Sequence, residues 1–122
     1  MKSFAASLIL LAVMLGGMAW NAVYINRVAD RLNAMLDAMP DSGDADSAQA
    51  AAAVREYWES NAPYVGLSVG YTVTDRVSEQ TAVLAACAAC GDFYGYRSAL
   101  ALLRDAIGDM RRLEQFSIEN LL

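Results

Sequence analysis

Cys87-Ala88-Ala89-Cys90 is the one short run in this chain whose residue types and spacing carry chemistry. Two thiols three residues apart lie near one another on a helix, where they can form a strained disulfide or offer soft ligands to a metal. A reactive thiol wants a helix N-terminus or a cationic neighbour to lower its pKa. These two fall at the C-terminal end of an Ala-rich segment, where the helix dipole disfavours thiolate. The chain has no His, which excludes Ser-His-Asp and Cys-His catalysis and every His-containing metal site. Covalent haem attachment of the C-x-x-C-H kind is excluded for the same reason. No second Cys pair completes a tetrahedral zinc site within one chain. Cys87 and Cys90 read either as two small apolar side chains in a tight helix contact, the favoured reading, or as a thiol–disulfide, redox-sensing pair.

Carboxylates are the other acid–base candidates. Glu56, Glu59, Asp75, Glu79, Asp105 and Asp109 fall on polar faces by periodicity, and no pair is forced into an apolar pocket that would tune it for general-acid work. The acidic run Asp41-Ser42-Gly43-Asp44-Ala45-Asp46 invites a calcium reading, but Ala52 stands where an EF-hand-type loop wants Glu. A solvated loop in which Asp46 or Ser47 caps the next helix fits better. Gly66 and Gly70 lie in an apolar context with no Lys following, so there is no phosphate-binding loop. No catalytic set, metal or cofactor is expected, and the chain is not expected to be an enzyme. With 9 basic and 14 acidic side chains and a net charge of −5, it lacks the clustered cations that nucleic-acid phosphates require.

The elements that hold these residues are helices. The chain's 122 residues, 57% of them hydrophobic, support one small domain at most. From Ser3 to Ile25 there are 23 residues without a charge, about 35 Å as a helix and enough to cross a ~30 Å hydrocarbon layer with some tilt. Trp20 and Tyr24 fall at its far end, where amphipathic rings prefer the headgroup zone. Residues 1–26 therefore read as a single-pass anchor in contact with lipid through residues 3–25. Alternatively they are a signal peptide cleaved near Ala19, releasing a secreted protein. The anchor is favoured because apolar spacing continues through Ile25, Val28, Leu32, Met35, Leu36 and Met39 until Pro40. Lys2 against Arg27 and Arg31 barely decides the orientation, but the two-residue leader resembles an export signal, which puts residues 27–122 outside the cytoplasm. Ala12 and Gly16 make one small-xxx-small pair, the only hint of a homo-oligomer.

Residues 27–122 are expected to form a small antiparallel bundle of about three helices, packed against the helix that leaves the membrane, an all-α fold. Ala50, Ala51, Val54, Tyr57, Trp58 and Asn61 share one face of the first, with Trp58 as core anchor. Pro63 should interrupt or kink that helix, and Tyr64 to Val73 should be its frayed continuation. A new helix should start around Thr72 to Asp75, with Val73, Val77, Thr81, Leu84 and Ala88 inside and Gly91 as its C-cap. Asp92 should cap the last helix, whose stripe is Tyr96, Leu100, Leu103, Ile107 and Met110, widened by Ala99, Leu102, Ala106 and Leu113. The tail Phe116-Ser117-Ile118-Glu119-Asn120-Leu121-Leu122 is apolar where chain ends are normally polar. It reads either as a last turn docked on the bundle or, through Phe116, Ile118, Leu121 and Leu122, as a tip that a cell-envelope protein partner covers.

Tail and layout together resemble the bacterial membrane-anchored domain-of-unknown-function family 4363, whose members end in a motif of the Leu-Ser-Leu-Glu-Asn-Ile-Leu kind. Trp58 falls where the family Trp would, and Asp92 where an acidic residue opens the last helix. The chain departs from the pattern in its Ala-rich body, in Tyr71 where a His is expected, and in Cys87 and Cys90. The resemblance implies a membrane segment ahead of a helical body and brings no activity with it.

Overall fold

The computed structural model describes residues 2–40 and 45–121, and among them the secondary structure is entirely helical. Four helices follow one another: α1 (Lys2–Asp37), α2 (Ala45–Val69), α3 (Tyr71–Cys90) and α4 (Phe93–Leu121). Consecutive helices pack side by side, and α1 closes the ring against α4, while α2 and α4 touch only slightly. This is an up-down-up-down bundle. Asp41 to Asp44 of the acidic run lie outside the described residues.

α1 has two halves with opposite surroundings. Phe4, Leu8, Ile9, Leu10, Leu11, Val13, Met14 and Leu15 are all exposed, whereas Ile25, Val28, Ala29, Leu32 and Leu36 are buried in the core. α1 is long and apolar enough to cross a membrane. The bundle begins earlier than the division at residue 26. Ile25 is fully buried, Tyr24 donates a hydrogen bond to Asn61 Oδ1 (2.6 Å), and the Ser68 hydroxyl bonds Asn21 Oδ1. Residues from Asn21 onward therefore share their surface with α2, which leaves the stretch up to Trp20 bare.

The core is built on the expected stripes. Trp58 is fully buried among Ala51, Val54 and Val65 of α2, Val77 and Leu84 of α3, and Tyr96, Leu103, Ile107 and Met110 of α4 belong to the same cluster. Its indole N–H donates to Ser78 Oγ (2.8 Å), tying α2 to α3 and satisfying the one polar atom the ring carries inward. At the far end from the bare half of α1, Tyr96 reaches across to donate to the Pro40 carbonyl (2.8 Å).

Four local expectations are corrected. Pro63 does not break α2, which runs through it to Val69. The ring sits on an exposed face, so water can serve the Glu59 carbonyl that loses its donor, while Trp58 and Val65 hold the buried face on either side. The break comes at Gly70, where φ of +89° turns the chain directly into α3 at Tyr71. α3 thus starts without a side-chain N-cap, and Thr74, expected among its capping hydroxyls, is buried in the first turn and donates to the Gly70 carbonyl (2.8 Å). α2 starts at Ala45, so Asp46 and Ser47 lie inside its first turn rather than ahead of it, and Ser47 is fully buried. On α4, Leu102 and Leu113 stay exposed and the buried member of the last inner turn is Glu114.

The turn between α3 and α4 follows expectation. Gly91 takes the left-handed conformation, φ +75°. Asp92 then caps α4 by accepting the Gly95 N–H (3.0 Å).

Candidate functional site

The thiol pair lies at the α3–α4 turn, the end of the bundle away from the bare half of α1. Cys87 is half-buried, Cys90 is exposed, and both are free thiols. Cys90 Sγ donates to the Ala86 carbonyl (3.0 Å), and Cys87 Sγ lies 3.9 Å from Asp92 Oδ2. Partial burial pushes the Cys87 thiol pKa up, and the Asp92 carboxylate and Cys90 add to the shift. A thiol held protonated is a poor nucleophile at neutral pH. Chloroacetamide labelling followed by mass analysis should accordingly modify Cys90 well before Cys87, and Asp92→Asn should narrow the gap by removing the neighbouring charge.

The carboxylates singled out by spacing are dispersed. Glu56, Glu59, Asp75, Glu79 and Asp105 are exposed. Glu59 pairs with Arg55 on its own helix (3.0 Å). Asp109 accepts from Arg76 of α3 (2.7 Å) and from Arg112, which holds its carboxyl below the usual range. Such exposed pairs contribute about 0–1 kcal/mol and serve register more than stability. Among the described residues, no group of three or more His, Cys, Asp or Glu is placed to hold a metal ion.

Glu114 is the ionisable group that the spacing argument missed. It is buried, and burial raises its pKa above the ordinary value. A signal existed: it follows Ile107 and Met110 by seven and four residues, on the inner stripe. A carboxyl whose folded pKa is raised contributes its stability in full below the unfolded pKa of about 4.3 and loses it as pH rises through the folded value. The bundle should therefore gain thermal stability on acidification toward that range from this group. Glu114→Gln should flatten that dependence and raise the melting temperature at neutral pH, as circular-dichroism melts of the two proteins at both pH values would record.

The tail divides. Phe116 is exposed, close to Val73 and Leu113. α4 continues without a break through this stretch to Leu121, so the backbone is not a separate turn folded back on the bundle. The side chains of Ile118, Leu121 and Leu122 lie outside the described residues. Leu113 and Phe116 form a small exposed apolar patch beside Val73, while Leu102 is exposed three turns away beyond Asp109.

A cleft opens between α1 and α2, beside the start of the bare helix. Trp20, Tyr24, Asn61, Tyr64, Leu67 and Ser68 line a cleft of about 500 Å³. Its polar floor is the Asn21–Ser68 and Tyr24–Asn61 seam. Asn61 also donates through Nδ2 to the Tyr57 carbonyl (2.8 Å), so its amide is fixed from both sides. By sequence, Tyr24 belongs to the membrane margin and Asn61 to an inner stripe. Neither pattern shows that they bond across two helices.

Comparison with known proteins adds no further constraint: no family model matches the chain, and neither a curated protein nor a solved structure matches it significantly.

Proposed function

We propose that this protein is a non-enzymatic, single-pass membrane-anchored module of the cell envelope. In this reading its helical bundle stands outside the cytoplasm and engages another envelope protein. One observation carries the anchored reading. The first half of α1 leaves a continuous sleeve of exposed large apolar side chains, from Phe4 to Leu15, while the second half of the same helix is locked into the core. A sleeve of that size far exceeds the apolar patches soluble monomers tolerate, and the bare stretch that carries it, Lys2 to Ala19, is about 27 Å long as a helix, close to the ~30 Å hydrocarbon layer. The dispersed carboxylates and the protonated Cys87 thiol favour a binding role over a catalytic one. The exposed patch of Leu113 and Phe116 beside Val73 is the surface on which a protein partner would bind. The resemblance to family 4363 belongs to the same proposal.

Alkaline carbonate extraction of membranes, combined with intact mass measurement, tests it. The expected result is a full-length chain in the pellet whose body is digested by protease added from the extracytoplasmic side. A soluble protein beginning at Trp20 would assign a secreted form instead, and a soluble chain with its first residues intact would overturn both. Capture of a specific envelope protein that is lost on Leu113→Asp, with the fold retained, is the expected result for the partner surface.

A further inference from the structure

The turn joining α2 to α3 sits beside the point where α1 becomes bare. Its depth is set by two bonds: Tyr24 pairs with Asn61, and three residues earlier on α1, Asn21 pairs with Ser68, seven residues later on α2. The two helices therefore run antiparallel, and the end of α2 at Val69 falls level with about Trp20. A hairpin tip in water is normally polar. This one is not: from Ser60 to Thr74 there are fifteen consecutive residues without a charge, and Tyr64, Leu67 and Tyr71 within it are exposed, Leu67 at 78%. Trp20 projects beside them, 79% exposed. The tip is also built without slack. Gly70 alone connects the helices, and the Tyr71 ring lies so close over Gly66 that a Cβ there would approach it to 3.0 Å.

We infer that this tip, through Tyr64, Leu67 and Tyr71 together with Trp20, seats the bundle in the headgroup region of the lipid bilayer. The inference rests on the anchored reading of α1 and extends it from a tether to a fixed stance. Length supports it. The stretch from Lys2 to Ala19 measures about 27 Å as a helix, slightly less than the ~30 Å hydrocarbon layer. Such a segment meets the shortfall by drawing its flanking residues toward the interface. Those flanking residues are Trp20 and the α2–α3 tip, and Tyr and Trp are the side chains that favour this zone. The polar seam of Asn21, Ser68, Tyr24 and Asn61 then prevents the body from swinging away on α1, because the tip is bonded to the anchor at the level where it leaves the lipid.

Site-directed fluorescence on the full chain tests this. In a C87S/C90S background, one environment-sensitive fluorophore is placed at Leu67→Cys, Tyr64→Cys, Leu8→Cys or Ser98→Cys, and each protein is reconstituted in phosphatidylcholine–phosphatidylglycerol vesicles. The labels at 64 and 67 should be quenched by lipids bearing a nitroxide near the headgroup and shielded several-fold from an aqueous nickel chelate relative to the label at 98. If the label at 67 is as open to the aqueous quencher as that at 98 while the label at 8 is quenched from mid-bilayer, the seated tip is wrong and the anchor stands. If the label at 8 is also open to water, the anchored reading itself fails. A photo-crosslinker at 67 that captures protein instead of lipid in native membranes would also overturn the assignment.

Discussion

Replacing Trp58 by Ala is expected to remove a large share of the bundle's stability. Trp58 is fully buried, heads the largest buried side chains, and bonds Ser78 across the α2–α3 interface. Large-to-small changes of this kind cost about 3–5 kcal/mol, the transfer free energy of the ring plus the cavity it leaves. Domains of this size hold only about 5–15 kcal/mol in total. The Ala-rich neighbourhood makes collapse around the hole difficult: Ala51 is already as small as a side chain with a Cβ can be. Trp58→Phe keeps most of the apolar volume and loses the indole N–H, so it should cost much less. Ser78→Ala keeps the ring but leaves its buried indole N–H without an acceptor, so it should cost about 1–3 kcal/mol, still below the Trp58→Ala loss. Urea unfolding followed by circular dichroism in detergent would rank the three. A Trp58→Ala protein that melts like the parent would mean that the α2–α3 contact does not carry the core.

Trp58 was readable in advance because it is the largest apolar side chain at helical spacing in the body, and burial follows from size and period with little else needed. The same holds for Val77, Thr81, Leu84 and Ala88 on α3, and for Leu103, Ile107 and Met110 on α4. Gly91 and Asp92 were readable because a left-handed C-cap and a carboxylate N-cap are local devices, decided within a few residues. Pro63 misled because its cost is local while its compensation is not. A buried face that continues from Trp58 to Val65 outweighs one missing hydrogen bond on a wet face. Glu114 goes unnoticed for the reverse reason: a charge favours solvent, although its spacing from Ile107 and Met110 is that of a core position. The seam of Asn21, Ser68, Tyr24 and Asn61 had no one-dimensional signal, since each partner looks ordinary on its own helix. That seam is what turns the α1–α2 crossing into a candidate site.

Two N-terminal truncations should behave in opposite ways, although they differ by only eighteen residues. Removing residues 1–19 takes away the bare half of α1 and nothing that packs against the body, since Asn21, Tyr24 and Ile25 are the first residues bonded to or buried in it. The remaining chain should be helical and should melt cooperatively, and it should no longer partition with membranes. Removing residues 1–37 also takes away Ile25, Val28, Ala29, Leu32 and Leu36. Each fully buried large side chain among them contributes about 1.5–3 kcal/mol of burial, so four of them approach or exceed the whole stability of such a domain. Their loss exposes the facing sides of α2 and α4 and unpairs Arg104 from Asp37 and Arg111 from Asp30. That second truncation should be insoluble or lack a cooperative transition. A folded bundle surviving without residues 1–37 would show that α1 is only a tether. The contrasting outcome would establish it as both the anchor and one wall of the core, so that a load on the bundle passes straight into the membrane segment through a single uninterrupted helix.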